Sequence, residues 1–286
     1  MNDLPPYDGR SLRSSTAAFA VSGQREFLKD KSFEILAGLD GKTFTKIASI
    51  QGPANRYLHK GVTTGWLYYY KVRALDKFGK LIAESPVTMG AAGSNLIRGP
   101  GHEEMSLGIR KESDEAGEGN GTYHPPQAFS VVEGARPYSK GKQILKFDPA
   151  WASSGTTEIM FIGSLIPMSP EKIYLQGGWV RAPGNVWYGR NFYDKDKQKI
   201  CLGYSMPAIT QTPEWTHVVQ LLLPDVDGSG FRRPEGRSMA VKQWMFPTDG
   251  RFMKLLVVAF GPGECDDHWM LEVTKAPEGA SVIPSQ

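Results

Sequence analysis

One stretch of the second half of the chain gathers side chains suited to holding a sugar. Trp179, Trp187, Tyr188, Arg190, Asn191 and Tyr193 lie close together, and Gln243 and Trp244 follow downstream. Indole and phenol faces can take the apolar face of a pyranose ring. The planar forks of arginine, asparagine and glutamine can bond neighbouring hydroxyls in pairs. These residues are the candidate ligand contacts. The competing use of the same residue types is packing, since a sandwich of this size needs several aromatics inside. Trp215, Phe192 and Tyr174 are expected in the core.

Catalysis finds less support. Glu103, Asp194, Asp266 and Asp267 are the carboxylates that could pair as the acid and base of a glycosidase. None of them sits at an apolar strand end with a second plainly opposite. Asp194 and Asp196 fall on a charged turn, where carboxylates are ordinarily solvated. His217 lies on an alternating strand with no serine or cysteine elbow. The glycine-rich run GEGNGT precedes no helix, so it is not a phosphate loop. The expectation is a protein that is not an enzyme.

The elements that must position the candidate contacts form a meander over residues 173–202. One strand is expected over 174–181 and a second over 186–193. Between them, Ala182-Pro183-Gly184-Asn185 has turn chemistry, because proline fixes φ and glycine and asparagine accept positive φ. Asp194-Lys195-Asp196-Lys197 is a second turn, and Ile200-Cys201-Leu202 resumes a strand. On the second strand the side chains divide into two faces, Trp187/Gly189/Asn191/Tyr193 and Val186/Tyr188/Arg190/Phe192. Alternation lets about half of the meander's aromatics face solvent and does not say which half.

Composition sets the outer bounds. A chain of 286 residues makes one large or two ordinary domains, and 40% hydrophobic residues suffice for real cores. Its 32 glycines and 20 prolines suit short strands with many turns. The net charge of +3 is scattered, with no basic stripe or basic amphipathic helix, which argues against nucleic acid and membrane surfaces as partners. No apolar run reaches a membrane-spanning length. The start, MNDLPPYDGRSLRSS, has no signal-peptide core, so either the protein stays inside or the chain lacks its native start. Cys201 and Cys265 match no metal or redox spacing and are expected as free, buried thiols.

Along the chain, strand patterns recur and amphipathic helix patterns are nearly missing, so the expected class is all-β. Residues 33–37 are a strand, Asp40-Gly41 a hairpin turn and 43–50 a second strand. In the Tyr-rich run 65–76, Tyr68, Tyr70, Val72 and Ala74 share one face, opposite Lys71 and Arg73. Further strands are expected over 143–147, 158–166, 214–224, 238–246, 253–260 and 264–273. Residues 111–122 read as an exposed loop, 91–94 as a linker and 276–286 as a disordered tail.

Two resemblances follow. The run FEILAGLDGKTFTKIA, then GWLYYYKVRALDKFG, then ESPV resembles a bacterial fibronectin type III module over residues 33–89. Residues 1–90 are therefore expected as a degenerate or truncated immunoglobulin-like sandwich. The resemblance makes Tyr68 the buried tyrosine whose hydroxyl ties a corner.

Residues 95–275 resemble the jelly-roll, galactose-binding-like carbohydrate-binding modules of bacterial glycoside hydrolases. The matching segments, in order, are NLIRGPGHEE, YLQGGWVRA, FYDKDKQKI, EWTHVV and DDHWML. Three positions depart from that pattern. His102 replaces a phenylalanine, Lys197 a turn glycine and His268 a valine, the last unless the strand carries a bulge. In such modules the opening and closing segments meet, which implies a structural Ca²⁺ at Glu103, Asp266 and Asp267. The resemblance also implies a polysaccharide or glycan partner, further domains of a larger protein, and a secreted or cell-surface setting. Two rivals are a structural or adhesive surface protein that contacts protein partners and, more weakly, a glycoside hydrolase.

Overall fold

The structure, a computed structural model, describes residues 31–52, 57–97, 108–109, 121–122, 129–134, 142–147, 158–204, 209–232, 238–240, 245–259 and 261–282. All regular structure among them is β. The chain divides into two compact units. One joins Met1–Asn95 to Leu271–Gln286, and the other is Leu96–Met270.

The smaller unit holds β1 (Ser32–Gly38), β2 (Thr45–Gln51), β3 (Tyr68–Leu75), β4 (Leu81–Glu84) and β5 (Thr88–Gly90). They form one antiparallel sheet in the order β2-β1-β3-β4, with β5 also on β3. Its core is Ile35, Ala37, Ile47, Tyr68 and Tyr70, so the period-two face read from the Tyr-rich run does turn inward. The Tyr68 hydroxyl accepts the Thr63 N–H at 2.9 Å. The turns are held by aspartates. Asp40 Oδ1 accepts the N–H groups of Lys42 and Thr43, and Asp76 Oδ1 those of Phe78 and Lys80. Residues 1–30, within the part expected to be degenerate or truncated, lie outside the described residues.

The C-terminal segment completes this unit. Leu67 N–H bonds Thr274 O at 2.9 Å, Thr274 N–H bonds Gly65 O at 2.7 Å, and Val282 packs against the core cluster. Residues 276–282 thus have a place in the fold, where the sequence suggested a disordered tail. The boundary also falls earlier than 275, because the chain rejoins the smaller unit at Leu271. The strand itself runs on through that point to Val273.

The larger unit contains β6 (Gly108–Ile109), β7 (Gly121–Thr122), β8 (Phe129–Glu133), β9 (Gln143–Phe147), β10 (Glu158–Pro167), β11 (Ile173–Tyr193), β12 (Lys199–Tyr204), β13 (Ile209–Pro224), β14 (Phe231–Arg232), β15 (Ser238–Ala240), β16 (Met245–Phe246), β17 (Phe252–Ala259) and most of β18 (Gly263–Val273). One wing runs β14-β15-β12-β11-β17-β10-β7-β6. The other joins β8, β9, β18, β11, β13 and β16.

β11 belongs to both wings, which corrects the expected turn at 182–185. The strand is continuous, and its pairing with β13 shifts register between Val180 and Asn185. From Val186 onward it pairs with β17 as well. Pro183 has no N–H to give a ladder, and it sits where the register slips rather than where the chain reverses.

The two wings close on one core. Tyr174, Val180, Ala182, Leu222, Cys265 and Met270 come from one side. Val186, Tyr188, Phe192, Met253, Leu255, Val257 and Ala259 come from the other. Cys265 is a free, buried thiol, as expected. In β18 the inward phase changes from Cys265 to His268 and Met270. Asp267 takes φ +47° at the change of phase. The charged turn after β11 is also real. Asp194 Oδ1 accepts the N–H groups of Asp196 and Gln198 at 2.8 Å, and Lys197 takes φ +61° at the position where the resembling pattern has glycine.

Candidate functional site

The fold decides which meander side chains can meet a ligand. Tyr174, Val180 and Ala182 point into the core, so by alternation Trp179 and Arg181 point out of it. On β13, Val218 and Leu222 face the core, which turns Trp215 and His217 outward. β18 adds Trp269, one residue out of phase with the inward His268 and Met270.

These outward side chains build an aromatic shelf. Trp179 and His217 are register partners on β11 and β13, and their ring centroids lie 4.9 Å apart with planes 36° from parallel. The His217 and Trp269 centroids lie 5.8 Å apart with planes 30° from parallel. Trp269 Nε1 donates to His217 Nε2 at 3.2 Å, which fixes the imidazole with an acceptor toward the indole. All three rings are half-buried.

Trp269 can lie against the sheet because Gly177 is beneath it. A Cβ at Gly177 would stand 2.3 Å from Cζ2 of the indole. The polar end of the shelf is Arg181. Its Nε and Nη2 both donate to Glu264 Oε2, and its guanidinium lies 5.3 Å from the ring centre of Trp215. Trp215 is 7% exposed, so it is buried as expected, but under Arg181 on the outward face rather than between the wings.

Of the expected ligand contacts among the described residues, only Trp179 joins this shelf. Tyr188 is buried in the core, its hydroxyl donating to Trp179 O at 3.1 Å and its ring set edge-on to His268. Arg190 is fully buried between the wings, with Nη2 donating to Gln220 Oε1 at 2.5 Å. Burial pulls its pKa well below the usual guanidinium range, to about 9. Asn191 and Tyr193 lie on the other face of β11, opposite Lys254 and Phe252 in register, and are likewise shut off from solvent. The reason is the length of β11. Its second half lies under cover on both faces, so alternation there chooses between two interiors. The Trp187 side chain, Gln243 and Trp244 lie outside the described residues.

His217, Trp269 and Gly177 are absent from the sequence-derived set. A usable signal was present for two of them. Trp215 and His217 share a face at i, i+2, and Trp269 follows a D-D pair where a bulge can reverse the phase.

The expected metal ligands are only partly visible. Glu103 lies outside the described residues. Asp266 is fully buried and Asp267 half-buried, and Asp266 Oδ1 accepts the Asp267 N–H at 2.8 Å. Among the described residues no three acidic, histidine or cysteine side chains come together. Burial, reinforced by Asp266 and Glu264, pushes the neighbouring Cys265 thiol well above its usual pKa.

No family model matches the chain, and no curated protein matches it in sequence. Several solved structures are similar in part. The enzymatically active domain of tailspike protein 4 from bacteriophage CBA120 aligns with a TM-score of 0.41 at 7% identity, over 64% of this chain and 22% of that one. A carbohydrate-binding module solved with β-1,4-galactotriose aligns at 0.34 and 15% identity, over 62% of this chain and 98% of the module. The family 11 carbohydrate-binding module of a Clostridium thermocellum cellulosomal cellulase aligns at 0.34 and 12% identity, over 60% and 99%.

Proposed function

We propose that the larger unit binds a polysaccharide or glycan without cleaving it, by stacking sugar rings on the shelf of Trp179, His217 and Trp269. One observation carries the reading: three half-buried rings on an outward sheet face, with His217 tilted 36° from Trp179 and 30° from Trp269 and joined to Trp269 by an indole-to-imidazole hydrogen bond. Rings fixed in this way lose little conformational freedom on binding, which favours stacking over contact by flexible side chains. In this proposal the smaller unit is a fibronectin-like spacer, and the chain is part of a larger secreted or surface-attached protein.

The test is retention on insoluble polysaccharides and on a glycan array. Wild type should be retained. Trp179→Ala and Trp269→Ala should each lose about two- to tenfold in affinity, roughly the 0.5–1.5 kcal/mol expected for a ring stack. Melting curves should show both variants folded. Full retention by both variants rules out the shelf as the site.

A calcium ion held by Glu103, Asp266 and Asp267 is a separate part of the proposal. Its test is a calcium-dependent rise in the unfolding midpoint that disappears in Asp267→Asn. A midpoint indifferent to calcium removes it.

A second reading, adhesion to a protein partner, has one observation in its favour. The smaller unit exposes Phe78 at 82%, Leu81 at 51% and Ile82 at 47%, around the edge strand β4.

A further inference from the structure

The aromatic shelf continues into an ion pair. Arg181 follows Trp179 by two residues on β11, so the two side chains share a face roughly 7 Å apart. Trp215 stands in the same relation to His217 on β13. Arg181 and Trp215 are in contact, as Trp179 and His217 are. The four side chains therefore tile one patch of sheet, aromatic at one end and polar at the other. Glu264, from β18, sits beside Arg181.

The way this pair is bonded sets what it can offer. Both guanidinium donors engaged, Nε and Nη2, meet the same carboxylate oxygen, Oε2. Among the described residues Arg181 Nη1 and Glu264 Oε1 carry no hydrogen bond. The side chains are 41% and 19% exposed, so both groups can be reached from solvent. The pair presents N–H donors and a strong acceptor side by side, with no net charge. A sugar hydroxyl both donates and accepts, so it matches that array.

We infer that Arg181 and Glu264 are the hydroxyl-reading end of the shelf and restrict it to neutral saccharides. The inference rests on the carbohydrate reading above and names the class of ligand. A sugar carboxylate or sulfate arriving at Arg181 meets a guanidinium already neutralised and stacked on Trp215. It must then displace Glu264 or lie beside it as a like charge, and either outcome is unfavourable. A neutral hydroxyl needs neither displacement.

The test compares neutral polysaccharides (galactan, xylan) with acidic ones (polygalacturonate, alginate) on the full chain, at low and high salt. Wild type should hold the neutral polymers and discriminate against the acidic ones. Glu264→Gln leaves Arg181 uncompensated and should raise affinity for the acidic polymers about two- to fivefold at low salt, an increase that high salt removes. Arg181→Gln removes the cation instead and should show no such gain. Wild type holding acidic polymers as strongly as neutral ones overturns the inference and leaves the carbohydrate reading standing. Selection of neutral polymers by wild type with no gain in Glu264→Gln overturns the role of the pair. Retention of neither kind by wild type overturns the reading itself, and the inference with it.

Discussion

Trp269 donates its indole N–H to His217 Nε2 across 3.2 Å while the two ring planes stay within 30° of each other. A bond lying near the plane of both rings joins them edge to edge and leaves their faces uncovered by each other. Two strands that are not register partners thereby contribute to one aromatic surface, with Gly177 of β11 beneath the indole.

That placement makes Gly177 a positioning residue. In Gly177→Ala the new Cβ would lie 2.3 Å from the Trp269 indole and 2.6 Å from the Val218 carbonyl oxygen. The indole must lift, and crowding of this kind costs about 1–3 kcal/mol. The variant should be less stable by that amount, show red-shifted tryptophan emission and bind glycan more weakly. Unchanged emission together with unchanged binding would show that the indole does not need the glycine.

Lys197 is a strained residue in a turn whose other bonds are good. It holds φ +61° between Asp194 and β12. An L-residue in the left-handed region costs roughly 1–2 kcal/mol, and glycine returns roughly half of that as unfolded-state entropy. Lys197→Gly should therefore stabilise the chain by about 0.5–1 kcal/mol in denaturant unfolding. No change, or a loss, would mean that the contact of Lys197 Nζ with the Phe252 ring, 6.0 Å from its centre, outweighs the strain.

Arg190 makes stability depend on alkaline pH. Burial lowers its folded pKa to about 9, well below the usual guanidinium range. Below pH 9 both folded and unfolded chains hold the proton, and the folded state bears the whole desolvation cost. Above pH 9, until the unfolded guanidinium itself titrates, the unfolded chain binds more protons, so this group's contribution to stability rises with pH, by at most ~1.4 kcal/mol per unit. Unfolding of wild type and Arg190→Met should be compared at pH 7, 9 and 10.5. Wild type should gain relative to the variant from pH 9 to 10.5. Parallel curves would mean that Arg190 keeps its charge.

Much of the fold was legible in the sequence because the local chemistry repeats. Asp40 and Asp194 each cap a turn with a side-chain oxygen, and each lies where a turn was expected. The inward phase of Tyr68 and Tyr70 followed from period two alone. The site was less legible. Pro183-Gly184-Asn185 has turn composition, yet the strand continues through it, because register slip and chain reversal call on the same residues. The choice of outward face on β11 depends on partners far away in sequence. The direction of Trp269 depends on one residue, Asp267, entering the left-handed region, and neighbouring residue types do not dictate that. Trp179 was found because it sits on the half of β11 with an open face. Tyr188 and Arg190, with equally suitable chemistry, sit where the same strand has become interior.

The ends of the larger unit meet. Leu96 N–H bonds Met270 O at 2.8 Å, and the chain on either side, up to Asn95 and from Leu271, belongs to the other unit. The larger unit is thus an insert whose entry and exit are neighbours, a geometry suited to exchange as a cassette. Cutting out 96–270 and bridging the gap with a short linker should keep both segments of the smaller unit, Met1–Asn95 and Leu271–Gln286, in one chain. A clone stopped at residue 95 would lack the segment that supplies Thr274 and Val282. Fragment boundaries for this protein belong on both sides of the insert, not at a single point along the gene.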